Sequence, residues 1–212
     1  MGKRVGVFID VQNVYYSAKN FFNGKLNYTK LLDILKEQGN DICIARVYLL
    51  TKKEIETASF EMMLEKNGYD IRRKFMEFKG KDDRRTNNVN WEIGMAIDMI
   101  EWSKKLDKIV LVTGNGIFEE LINYIKHTVS VEIAFFKEST SIGLMRNADK
   151  FMDLSEYKNS GIILEEFKKE DADVKKEPDK KLNLDGEDED EVQKVNAAVD
   201  KAKTKNGMGV FG

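Results

Sequence analysis

The chain has 212 residues, 42% of them hydrophobic, with one cysteine, one histidine and a formal net charge of −2. That length holds one domain with a sizeable core plus an appendage, and the absence of any apolar run near 18 residues argues against a membrane span. A single cysteine excludes an intrachain disulfide, and a single histidine excludes sites built on paired histidines, most zinc hydrolase centres among them.

The charge is unevenly spread. Residues 158–212 carry 11 basic and 14 acidic side chains, leaving 24 and 23 in the first 157. Neither part is a general polyanion binder, so a nucleic-acid site must be local. In chain order, Val5–Ile9 reads as a buried strand, and Asp10 interrupts its apolar run too early for a secretory leader. Leu31, Leu32, Ile34 and Leu35 have helical spacing over Tyr28–Gln38, with Gly39 as a stop. A second strand follows over Ile42–Leu50. It holds Cys43, expected to be a buried thiol in a reducing cytoplasm. A helix over Glu54–Asn67 ends at Gly68, and a charged strand is expected over Tyr69–Phe78.

Ile93, Ala96, Ile97 and Ile100 predict a helix over Trp91–Trp102. The apolar run Ile109–Val112 is the next strand, Ile117–Lys126 the next helix and Val129–Phe136 the next strand. His127 falls at the helix end, where a surface position is expected. Strands alternating with amphipathic helices predict an α/β fold of three layers, with a mostly parallel central sheet and helices on both faces. Beyond Tyr157 the character changes. Ile162, Ile163, Leu164 and Phe167 suggest a last docking helix, and Asp171–Asp190 reads as a solvated linker. The expected division is therefore a domain over 1–157 and a charged C-terminal extension over 158–212. The extension is expected to be partly disordered or to dock a protein partner.

Ligands of an open parallel sheet meet the carboxyl ends of its strands. Asp10 stands at one such end with Asn13 one helical turn on, and Thr113-Gly114-Asn115-Gly116 stands at another. Glu92 opens the helix before that second strand, where the helix dipole also favours a carboxylate. Asp98, six residues on, is rotated too far to face the same point. A basic stretch, Arg72 to Arg85, holds seven Lys or Arg against three acids, with Phe75 and Phe78 among them. Arg72, Arg73, Lys81, Arg84 and Arg85 are its candidate RNA contacts, since basic residues interleaved with aromatics suit a single strand. The same pattern also suits an edge strand guarded by charge.

Four segments together resemble the NYN domain, a PIN-like ribonuclease family, in its LabA-like branch. They are Phe8-Ile9-Asp10-Val11-Gln12-Asn13, Asn90-Trp91-Glu92 through Asp98, Leu111-Val112-Thr113-Gly114-Asn115-Gly116-Ile117-Phe118, and Ser141 through Ala148-Asp149-Lys150-Phe151. The resemblance implies a PIN-like, Rossmann-like fold and a carboxylate cluster at the strand ends holding Mg²⁺ or Mn²⁺. It further implies cleavage of single-stranded or structured RNA. Carried over residue by residue, it makes Asp10, Asn13, Glu92 and Asn115 the site. Asp10, Glu92 and the Asn115 carbonyl oxygen would be metal ligands, with Asn13 orienting Asp10 or a phosphate oxygen. Two positions depart from the family pattern: Asn115 and Ile117 stand where acids are usual. Glu119 and Glu120, beyond Phe118, are expected to face solvent. Three functions stay open on the sequence: a weak metal-dependent endoribonuclease, an inactive RNA-binding pseudo-nuclease, or a protein-interaction scaffold.

Overall fold

In a computed structural model of the chain, residues 2–51, 54–75 and 90–164 are described, and all lie in one compact unit, Met1–Phe167. The expected strand β1 is Lys3–Asp10, followed at once by helix α1, Val11–Phe22. A two-residue strand β2, Lys25–Leu26, leads to α2, Tyr28–Glu37, which Asn27 caps by accepting from the Lys30 amide. Then come β3, Asn40–Thr51; α3, Glu54–Lys66; and β4, Asp70–Phe75. The second half holds α4, Glu92–Ser103; β5, Lys108–Val112; α5, Glu119–Ile125; and β6, Ser130–Phe135. It closes with α6, Ile142–Asn147; β7, Lys150–Asp153; and β8, Ile163–Leu164. Gly39 and Gly68, after α2 and α3, have φ of +79° and +82°, left-handed values that a side chain would oppose.

Six strands form one sheet in the order β4-β3-β1-β5-β6-β7, and every neighbouring pair is parallel. This is the α/β architecture expected from the alternation of strands and helices, and the PIN-like fold that the family resemblance implies. The chain moves outward from β1 through β3 to β4, then restarts beside β1 with β5 and moves the other way. Right-handed crossovers in opposite directions put the helices of the two halves on opposite faces. Asp98 on α4 reaches Tyr48 of β3, whereas Glu61 on α3 reaches Arg73 of β4 from the other face. Between β1 and β5 the strand order reverses, the place where open α/β sheets form a crevice beyond the carboxyl ends of their strands.

The core is continuous through the sheet. Val5, Val7, Phe8, Ile9, Ile109, Val110, Leu111, Val112, Val131 and Ile133 are fully buried on the central strands. A strand covered on both faces needs such unbroken apolar runs, which is why these were readable. One buried charge is answered locally. Glu132 on β6 is 1% exposed and faces the ammonium groups of Lys108 at 2.9 Å and Lys150 at 3.0 Å.

Three expectations need correction. Cys43 is exposed, not buried. Val5 pairs with Ile42 and Gly6 with Ile44, so Cys43 is the extra residue of a β-bulge and is turned out of the ladder. The last apolar segment is a strand rather than a helix: Ile163 and Leu164 pair antiparallel with Leu26 and Lys25, and Ile162 is fully buried. The folded domain therefore runs past the boundary drawn at Tyr157, to Leu164 at least. Two residues cannot display a periodicity, so nothing in the local pattern separates such a strand from a helical turn. The expected extension of β4 to Phe78, and the linker and docking tail, lie outside the described residues.

Candidate metal and nucleic-acid site

The last residue of β1 is also the cap of α1. Asp10 has extended backbone dihedrals, and its Oδ1 accepts from the Asn13 amide at 3.1 Å. This holds the carboxylate at the carboxyl end of β1, where it also caps α1. Across the crevice, β5 runs into Thr113-Gly114-Asn115. Asn13 ties the two strand ends together, its Oδ1 accepting from the Gly114 amide at 2.8 Å and the Thr113 hydroxyl at 3.1 Å. Gly114 has no room for a side chain, since a Cβ there would collide with the Ser139 carbonyl and the Phe135 ring.

The third wall is the start of α4. Trp91 fixes it: the indole Nε1 donates to the Leu49 carbonyl at 3.0 Å, and its ring meets Tyr48 edge-on at 5.3 Å. Lys74 lies over the same ring at 4.2 Å and donates to the Asn90 carbonyl at 2.7 Å. Glu92 follows in the first helical turn, and its Oε1 accepts from Asn115 Nδ2 at 3.2 Å. Asn115 in turn caps the next turn, its Oδ1 accepting from the Ile117 amide at 3.1 Å. Asp10, Asn13, Glu92 and Asn115 thus converge on one crevice.

Burial raises the Asp10 carboxyl above its ordinary range, and the charge of Glu92 raises it further. The amides of Asn13 and Gln12 and the nearby Thr113 hydroxyl oppose the shift by favouring the ionised form. Asp98 does not join this pair. It accepts from the Tyr48 hydroxyl at 2.7 Å and pairs with Arg46 at 2.8 Å, and Arg46 also holds Asp70 at 2.6 Å. This network braces β3, β4 and α4 beneath Tyr48, the register neighbour of Asp10. Burial first, and Asp98 second, push the Tyr48 hydroxyl well above its usual range.

A family model for the NYN domain matches residues 4–156. The chain belongs to the NYN domain family. It is 26% identical over 165 residues to the Low amplitude and bright protein LabA of Synechococcus elongatus, spanning 74% of this chain and 86% of that protein. A solved Vibrio parahaemolyticus protein of unknown function shares the fold, with a TM-score of 0.64 at 22% identity, over 72% of this chain and 93% of its own. The NYN family is nuclease-like, and its domains are generally dependent on a divalent metal.

Within this NYN domain, two expected roles change. The Asn115 carbonyl oxygen is committed to the Ile117 amide, and the group it turns toward Glu92 is an NH₂ donor. One lone pair of that oxygen is thus taken by the cap, and Ile117 is 58% exposed and apolar. The Asn13 side chain serves the Thr113–Gly114 loop, while its backbone amide is what orients Asp10. Glu119 is not a free surface acid. It is half-buried and accepts from Ser141 Oγ at 2.6 Å, whereas Glu120 is exposed.

The basic stretch is split by the strand it occupies. Successive residues of a strand point to opposite faces. Arg72 lies on the α4 side, 3.9 Å from Asp98, and Arg73 lies on the α3 side, 2.6 Å from Glu61. The two arginines do not share a groove. Lys74, part of the same basic stretch, shares the face of Arg72. Lys81, Arg84 and Arg85 lie outside the described residues. Asp149, from the fourth matching segment, sits at the opposite end of the sheet, where it accepts from the Val131 amide at 2.7 Å.

Proposed function

We propose that the crevice binds single-stranded RNA by its phosphates, that Mg²⁺ or Mn²⁺ enters with the phosphate between Asp10 and Glu92, and that hydrolysis is slow. The observation carrying this reading is the placement of two carboxylates at one edge of the sheet, Asp10 at the end of β1 and Glu92 at the start of α4, where the charge of Glu92 adds to burial in raising the Asp10 carboxyl. Two carboxylates held close enough to disturb one another are relieved by a cation between them. Among the described residues no group of three or more His, Cys, Asp or Glu forms a metal cage. That fits Mg²⁺ nonetheless, because this ion is commonly held by one or two carboxylates plus substrate phosphate, keeping several waters.

When bound, such an ion would neutralise charge developing on the phosphodiester and acidify a water. The chain's own residues do the rest. Asp10 and Glu92 would hold the ion, Asn13 fixes the Thr113–Gly114 loop, and Trp91 keeps Glu92 at the rim. Arg72 and Lys74 approach the same face and suit phosphate contacts. RNA recognition by these cations is the expected source of affinity, weakening as salt rises because counterions are released.

A second reading is favoured by one contact. The Asn115 amide gives Glu92 a hydrogen bond where a family acid would repel it, so the crevice is satisfied without metal. On that reading the domain is an RNA-binding pseudo-nuclease. Calorimetric titration of Mn²⁺, alone and with a non-cleavable oligonucleotide, separates them when run beside cleavage of labelled RNA. Weak Mn²⁺ binding that tightens with oligonucleotide and is lost in Asp10→Ala supports the first reading. RNA binding indifferent to Mn²⁺ supports the second, and no RNA binding at all sinks both.

A further inference from the structure

Resting on the RNA reading, we infer that the apolar pocket on the α1 side of Asp10 is a nucleobase subsite, receiving the base next to the phosphate held in the crevice. The pocket has a volume of about 560 Å³, ample for one base with its sugar. Its walls come from α1, β2, the start of α2, the end of β3, α3 and β8, and they carry Tyr15, Tyr16, Tyr28, Phe60, Leu26 and Lys25.

Position is the first argument. Val11 and Gln12, the two residues after Asp10, form part of the wall, so pocket and carboxylate share one stretch of backbone. A nucleotide bound with its phosphate at Asp10 has its base within reach of the opening.

Chemistry is the second. An aliphatic guest would need only the leucine and methionine surfaces. This wall instead presents two tyrosines on consecutive positions of α1, 40% and 54% exposed and edge-to-face at 5.4 Å. Large aromatic side chains left open to water at a concave site are stacking platforms, and every base offers them a π-face. The Gln12 amide brings both a donor and an acceptor to the edge of whatever base enters.

The test uses the full chain, a short labelled RNA, and the same RNA with one internal nucleotide made abasic. Dissociation constants are measured for the parent, Tyr16→Ala, Tyr15→Ala and Tyr16→Phe, with melting temperatures to check the fold. The expected result is a loss of roughly 5- to 100-fold in affinity for each alanine variant, recovery in Tyr16→Phe, and little further loss when abasic RNA meets Tyr16→Ala. Amide shifts on titrating uridine or adenosine monophosphate should concentrate at Tyr15, Tyr16 and Leu164. Intact RNA binding with unchanged affinity in both alanine variants would overturn the subsite while leaving the RNA reading standing. Failure of the parent to bind any RNA would overturn both.

Discussion

Replacing Asn115 by aspartate tests the crevice most directly, because it changes one atom type. The Ile117 cap survives, since a carboxylate oxygen accepts as an amide oxygen does. What is lost is the donation to Glu92 at 3.2 Å. A hydrogen bond to a charged acceptor contributes about 1.5–3 kcal/mol. The new like-charge contact would cost up to ~4 kcal/mol at an effective dielectric near 20. Both side chains are only half-buried, so solvent screening removes much of the second term and some of the first. A net loss of about 2–3 kcal/mol corresponds to a melting temperature lower by roughly 4–12 °C for a domain of this size. A divalent ion at ~100 times its dissociation constant contributes ~2.7 kcal/mol, so saturating Mn²⁺ should return most of that loss. The assay is thermal unfolding of Asn115→Asp and parent across an Mn²⁺ series, with RNA cleavage in the same buffers. The variant should melt lower without metal, respond more steeply to Mn²⁺, and cut faster. Equal melting without metal, or the same Mn²⁺ response in both proteins, would refute the argument.

Asp10→Asn keeps a good helix cap and removes the charge. Because the folded carboxyl is raised above its unfolded value, ionising it costs stability, fully so above the folded pKa and not at all below the unfolded one. The variant should therefore melt higher than the parent at pH 7, and its advantage should vanish as pH falls through the acid range toward 3.8; a constant difference across that range contradicts it. Asp98→Ala strips the Tyr48 hydroxyl and the largely buried Arg46 of their shared acceptor, leaving Arg46 only Asp70, and should cost ~2–3 kcal/mol in denaturant unfolding. Arg72→Ala should weaken RNA binding and flatten its salt dependence, whereas Arg73→Ala should alter stability alone, since its guanidinium is held by Glu61; equal effects on binding would place both in one groove.

The sequence by itself determined the parallel α/β fold, because strands buried on both faces must be written as unbroken apolar runs and their helices as amphipathic ones. It also determined that Asp10 and the Thr113-Gly114-Asn115 segment lie at the same edge of the sheet, since each follows such a run and parallel strands present their carboxyl ends together. The family motifs brought in Glu92 and Asn13. Tertiary structure alone decided which atoms of these residues face the crevice. An asparagine offers an oxygen and an NH₂, and only the position of the Ile117 amide makes Asn115 a donor toward Glu92. The parting of Arg72 from Arg73 was implicit in strand alternation, but which face looks on the crevice depended on where α3 and α4 pack. Cys43 and β8 escaped for the same reason. A bulge and a two-residue strand are fixed by partners distant in sequence, Gly6 in one case and Lys25–Leu26 in the other, and leave no periodic trace of their own. The apolar pocket belongs to the same class, since its tyrosines on α1, Phe60 on α3 and Leu164 on β8 become neighbours only when three distant segments pack.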